Sequence, residues 1–200
     1  MRILITGFDP FGGEPVNPAW EAVKEVKAPQ GVELIKLMVP TIHGKSSQTV
    51  IQKAEEVQPD AILCIGQAAG RAAVTPERVA INVLDARIPD NEGNQPKDVP
   101  ILPEGPAAYF STLPIRRMTE AMTAAGIKAE ISNTAGTFVC NDLMYGVLNY
   151  LEKKGGSCIG GFMHVPCMPE QLPRMPEGTP AMEKETIVRA LETVLQVIAE

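Results

Sequence analysis

Short apolar runs alternate with amphipathic stretches along the whole chain. Arg2–Thr6, Leu34–Val39, Ala61–Ile65, Val79–Leu84, Ala129–Asn133 and Ile159–Val165 have strand length. The first, third and last of these are too continuously apolar to leave one face in water. Between them, Asn17 reads as an N-cap and Pro18 as a first helical residue, leading Ala19–Val26 into a helix. Ser46–Val57 predicts a second helix, stopped by Gln58-Pro59. Pro114 opens a third, on which Ile115, Met118, Ala121, Met122 and Ala125 recur at helical spacing before Gly126 ends it. Cys140–Lys153 repeats the pattern through Leu143, Val147, Leu148 and Leu151. A last helix, starting at Thr179-Pro180, buries Ile187, Leu191, Val194, Leu195 and Ile198. This βαβα order, with helices long enough to cross over, predicts an α/β fold: a three-layer α/β/α sandwich around a largely parallel twisted sheet. No internal repeat and no boundary is visible, so residues 1–200 are expected to form a single domain.

Two segments break the alternation. Ala86–Ser111 is rich in Pro, Asn and Gly, and Pro166–Pro180 carries prolines at 166, 169, 173, 176 and 180. Structured loops of this length in a compact domain are usually binding elements or interfaces. Composition sharpens the point: 18 Pro and 17 Gly stand beside only five Phe, three Tyr and one Trp. Turns are many and the core is aliphatic, so an aromatic in a loop is informative. A net charge of −6, with no run of more than two basic residues, excludes a nucleic-acid footprint. No stretch approaches the ~18 apolar residues of a membrane span, and the first apolar run ends too soon for a secretion signal. Four cysteines without a CxxC pair, and no Asn-x-Ser/Thr sequon, point to a reducing cytoplasm. Two distant histidines leave little material for a metal centre, and no cofactor is expected.

Ligands of open α/β sheets bind where strands end at their carboxyl edge. Gly7-Phe8-Asp9-Pro10-Phe11-Gly12-Gly13 follows the first strand without a phosphate-loop pattern. Its two aromatics suit an apolar ligand, or they simply pack beneath the loop. Thr134-Ala135-Gly136-Thr137-Phe138-Val139-Cys140-Asn141 runs from a strand into a helix. A thiol at a first helical turn meets free N–H groups and the positive dipole end, which favour thiolate and can hold an oxyanion. Cys64, inside an apolar strand, reads instead as a small core residue. His164 ends the last strand; with Cys140 it would make a nucleophile and a proton carrier, needing an acceptor to orient the imidazole. Glu77, Asp85 and Asp90 are the candidates for that acceptor, the plain alternative being a solvated Glu77 paired with Arg78. A non-catalytic binder of small cyclic amides, or a thiol redox sensor using Cys140 and Cys167, are the competing functional classes.

Five blocks in order then carry a family resemblance. They are Gly7–Gly13 with Asn17-Pro18, Pro76–Asn82, Asp85–Asn91, Ser132–Asn141, and His164-Val165-Pro166 with Pro169-Glu170-Gln171. Together they resemble pyroglutamyl peptidase I. The resemblance implies a cytoplasmic cysteine exopeptidase, commonly a homotetramer, that removes N-terminal pyroglutamyl residues from peptides through a Glu, Cys, His triad. It assigns Glu77, Cys140 and His164 to that triad, choosing Glu77 over Asp85 and Asp90. It places Arg87 and the Cys140 backbone N–H at the reacting carbonyl, and Phe8, Phe11, Gln67, Phe138 and Val139 at the substrate. Two departures stand out: Ala69 where glycine is more frequent, and Cys167 where an aromatic residue usually follows His-Val-Pro.

Overall fold

The computed structural model describes residues 1–200. Seven strands and five α-helices occur in the order β1 (Arg2–Phe8), α1 (Pro18–Glu25), β2 (Glu33–Val39), α2 (Lys45–Val57), β3 (Ala61–Gln67), β4 (Thr75–Pro76), β5 (Val79–Ile81), β6 (Ala108–Phe110), α3 (Ile115–Ala124), α4 (Val139–Lys154), β7 (Ile159–Val165) and α5 (Lys184–Ala199). A 3-10 turn, Pro169–Arg174, lies between β7 and α5. The main sheet has the order β2-β1-β3-β7-β4, parallel except for β4.

The sheet is covered on both faces, as the apolar runs require. Ile3 and Ile5 of β1 and Ala61, Leu63 and Ile65 of β3 pack with α1, α3 and α5. Leu4, Ile62 and Cys64 point the other way, into a second core with Val50 of α2 and Leu143, Val147 and Leu148 of α4. This alternation is the period of two expected of extended chain, and it yields the three-layer sandwich. Helix α1 starts at its expected cap: Asn17 accepts from the Ala19 N–H at 3.1 Å and donates to the Asp9 carbonyl at 2.9 Å. That second bond also ties down the loop after β1. Gly7 lets α1 approach, because a Cβ there would lie 2.8 Å from the Trp20 backbone.

Three expected elements differ. Val79–Leu84 is cut to Val79–Ile81 and leaves the main sheet to form an antiparallel pair with β6. Ala129–Asn133 is not a strand; it meets the β4 region only through isolated bridges, Val74 with Ala129 and Glu77 with Ser132. The ladder beside it cannot lengthen, since Pro76 has no N–H to give. The last helix begins at Lys184 rather than at Thr179-Pro180, because Ala181 bridges to Cys167 and the Met182 N–H bonds the Cys167 carbonyl at 2.8 Å.

Candidate active site

The carboxyl edge of the sheet gathers the candidate residues. In the β3 and β7 register, Gly66 lies opposite His164, and β4 runs antiparallel along the other side of β7 with Thr75 opposite His164. The chain continues so that the Glu77 N–H bonds the Phe162 carbonyl at 2.9 Å. Glu77 is therefore brought beside His164 by strand pairing alone. Both are buried, at 0% and 4% exposure, and His164 Nδ1 lies 2.6 Å from Glu77 Oε1. Asp90 instead folds its own loop, accepting from the N–H groups of His43, Glu92 and Asn94. Asp85 is exposed, 3.7 Å from Lys97. Arg78 bonds Asn133 Oδ1 at 2.7 Å, so the solvated Glu77–Arg78 pair does not form.

An arginine does reach Glu77, and it is Arg71. Its Nη1 donates to the same Oε1 at 2.6 Å and to the Thr75 hydroxyl at 2.7 Å, while Nη2 donates to the Thr134 carbonyl at 2.9 Å. Sequence reasoning missed it; an arginine six residues before a glutamate, around a two-residue strand, was the available signal.

Cys140 is the second residue of α4. The helix has Phe138 as its N-cap, with no side-chain cap, so the first N–H groups of α4 face outward without helical partners. Asn141 fixes the turn, donating to the carbonyls of Ile81 and Val83 and accepting from the Ile81 N–H at 2.9 Å. Gly66 leaves room for the sulfur: a Cβ there would lie 3.1 Å from Sγ and 2.7 Å from the Phe162 ring. Any side chain at Gly66 would push the Cys140 sulfur or the Phe162 ring out of place.

Burial raises the Cys140 thiol to about 12, the Glu77 carboxylate adding to the rise while Arg71 and the residue's own N–H oppose it. A first-turn position favours thiolate, and burial together with Glu77 works against it, favouring the thiol. Burial also lowers His164, against the opposing pull of Glu77 and with the help of Arg71. Burial works to raise Glu77, yet its contacts with His164, Ser132 and Arg71 hold it below the usual carboxylate range. At neutral pH the edge thus holds a thiol, a neutral imidazole and a carboxylate neutralised by Arg71.

The other expected residues divide. Phe8 is buried, its ring 6.3 Å from Phe162. Phe11 and Phe138 are half-buried and face each other with ring centres 6.4 Å apart. The Val139 side chain lies fully in the α2/α4 core, so only its backbone is available to a ligand. The Gln67 amide is already engaged, donating to Cys167 Sγ at 3.0 Å and exchanging longer bonds with the buried Gln171. Cys167 is fully buried and acts as that acceptor. Arg87 stands on an exposed turn with its guanidinium unpaired. That turn adjoins the loop before Cys140, where the Asp85 N–H donates to the Thr137 carbonyl at 3.0 Å and the Thr137 hydroxyl donates to the Asp85 carbonyl at 2.9 Å. Ala69 is exposed and has no positive φ; the left-handed residue of its turn is Gly70. Alanine is therefore accommodated there. No group of histidine, cysteine and carboxylate side chains is arranged to hold a metal, and no helix is long and apolar enough to cross a membrane.

Known proteins share this arrangement of chain. The family model described as Pyroglutamyl peptidase matches residues 1–200. A pyrrolidone-carboxylate peptidase of Streptococcus pyogenes serotype M4 is 59% identical over 173 residues, covering 86% of this chain and 80% of its own. The crystal structure of pyroglutamyl peptidase I from Bacillus amyloliquefaciens superposes with a TM-score of 0.95 at 46% identity, over 99% of this chain and 94% of that one. A mutant pyrrolidone carboxyl peptidase from the hyperthermophile Pyrococcus furiosus gives 0.95 at 39% identity, over 100% and 98%.

Proposed function

The chain belongs to the pyroglutamyl peptidase family, cysteine-type peptidases that release N-terminal pyroglutamate, and we propose that Cys140, His164 and Glu77 carry out that hydrolysis in it. The observation that carries the assignment is the buried 2.6 Å contact between His164 Nδ1 and Glu77 Oε1 at the strand ends, with Cys140 Sγ seated against Gly66 across the ladder from His164.

Glu77 accepts the Nδ1 proton of His164, which leaves Nε2 as the basic nitrogen. As Cys140 Sγ attacks the pyroglutamyl carbonyl, Nε2 takes the thiol proton. The imidazolium formed is stabilised by Glu77, and the tetrahedral oxyanion by the Cys140 N–H at the start of α4, with the unpaired Arg87 guanidinium as a second source of positive charge. The imidazolium then protonates the departing amine, giving a thioester. Water, deprotonated by Nε2, attacks the thioester and frees pyroglutamate and the thiol.

Because the substrate's N-terminus is an uncharged lactam, its pocket needs ring faces and backbone partners rather than a carboxylate. Phe11 and Phe138, with Phe8 behind them, suit the ring. The backbone of Gln67 and Val139 is what those residues can offer. A pocket built to pair the lactam carbonyl and N–H leaves those partners unsatisfied when proline enters, so prolyl amides should be cleaved about 10⁴-fold less efficiently. Comparing kcat/KM for pyroglutamyl and prolyl chromogenic amides checks this, and equal values would remove the lactam pocket.

The pH profile follows from the directions above. The base must be neutral, and His164 is lowered from its ordinary value of about 6.5. Activity is lost on the acid side as the imidazole protonates, so the acid limb of kcat/KM should have its midpoint below about 6.5. No second limb is expected near the ordinary thiol value of about 8.5, since Cys140 lies at about 12. A profile centred above the ordinary histidine value would contradict a buried neutral base. The four unpaired cysteines support a reducing, cytoplasmic setting.

A further inference from the structure

We propose that His43 is a specificity-determining positioning residue, which holds Phe138 against Phe11 and so sets the affinity of the lactam pocket. The proposal rests on the peptidase reading above. His43 is one of only two histidines and touches none of the triad. Its ring is 8% exposed, yet neither ring nitrogen has a hydrogen-bond partner. Buried polar atoms without partners are few in native proteins and are costly to keep. A leucine would fill the same space without that penalty, so the ring is kept for what surrounds it.

Two neighbours bracket the nucleophile. The His43 ring stands perpendicular to Phe138 with centres 5.2 Å apart, the edge-to-face geometry aromatic pairs prefer. Its Nδ1 lies 3.6 Å from Asp142 Oδ2. Phe138 is two residues before Cys140 and Asp142 two after, both at the start of α4. The same Asp142 oxygen accepts from the Gly44 N–H at 2.6 Å. The rest of the turn is tied to both loops that flank the pocket. The His43 N–H bonds Asp90 Oδ2 at 3.0 Å, in the loop bearing Arg87. The Thr41 N–H and hydroxyl each bond Asp9 Oδ1 at 2.7 Å, in the loop bearing Phe11. His43 is therefore held by Phe138, Asp142 and Asp90, in a turn that Thr41 ties to Asp9, while its ring packs against one wall of the pocket.

A wall touches the lactam ring alike in the ground state and the transition state, so its loss removes uniform binding: KM rises and kcat stays. His43→Leu removes the ring edge and is expected to raise KM for a pyroglutamyl amide about 3- to 10-fold with kcat unchanged. His43→Phe keeps an aromatic edge and is expected to bring KM back toward the wild-type value. A purely structural role would instead lower the active fraction, depressing kcat and the melting temperature while leaving KM alone. Should His43→Leu fail to fold, His43→Gln, which also lacks a ring, gives the same reading. An unchanged KM in the ring-less variant, a fall in kcat alone, or no recovery in His43→Phe each overturns the role of His43. A wild-type chain inactive on the amide would instead overturn the peptidase reading on which it depends.

Discussion

Cys140→Ala is expected to remove at least ~10⁴-fold of kcat/KM on a pyroglutamyl amide while leaving the fold intact. The variant keeps His164, Glu77 and the free N–H groups of α4, but nothing remains to form the thioester. The lost sulfur is seated against Gly66, so the stability cost is that of one small deletion, about 1 kcal/mol. Circular dichroism and a thermal melt would confirm folding, and steady-state assay with the pyroglutamyl amide reads the loss. Cys140→Ser is expected to be nearly as inactive. A hydroxyl is harder to deprotonate than a thiol already raised to about 12, and the base offered to it is a histidine lowered by burial. Turnover retained in the alanine variant would strip Cys140 of the nucleophile role and with it the proposed chemistry.

The sandwich was legible because β1, β3 and β7 are buried on both faces, which turns each into an unbroken apolar run. What escaped was set by contacts distant in sequence. Thr179-Pro180 has the local signature of a helix start, and only the pairing of Ala181 and Met182 with Cys167 holds that stretch extended. Ala129–Asn133 has the composition of a strand, yet Pro76 ends the ladder it would join. At the site, Cys140 stood out by its place in the first turn of a helix and His164 by its place near the end of a strand. The choice of Glu77 over Asp85 and Asp90 came from resemblance, since its burial depends on a histidine 87 residues away. Arg71 had only its spacing of six residues from Glu77 to mark it, and the thiol's raised pKa could not be foreseen because the enclosure around Gly66 and Phe162 comes from β3 and β7. Local pattern reports where a side chain can be, and its protonation state belongs to the packing around it.

Glu77→Gln shows how closely that packing binds charge to chemistry. The carboxylate neutralises Arg71 and orients His164 through one oxygen. An isosteric amide keeps the volume but removes the anion, and a neutral carbonyl is left to face both donors. The imidazolium formed during attack would then face an uncompensated guanidinium, so kcat/KM is expected to fall by about 10²–10⁴. His164→Ala should cost more, because it removes the proton carrier itself. Glu77 raises the pKa of His164; without it the imidazole is harder to protonate, so the residual acid limb should move to still lower pH. Breaking one side of a buried pair costs up to ~3–5 kcal/mol, but Arg71 keeps 27% of its side chain exposed and can turn to water, which puts the loss below that bound. Removing the cation as well, in Glu77→Gln with Arg71→Met, should restore part of the melting temperature and none of the activity, since the stabilised imidazolium is still missing. Recovery of activity along with stability would mean that Glu77 serves only to neutralise Arg71. Near wild-type kcat/KM in the single variant would remove Glu77 from the reaction.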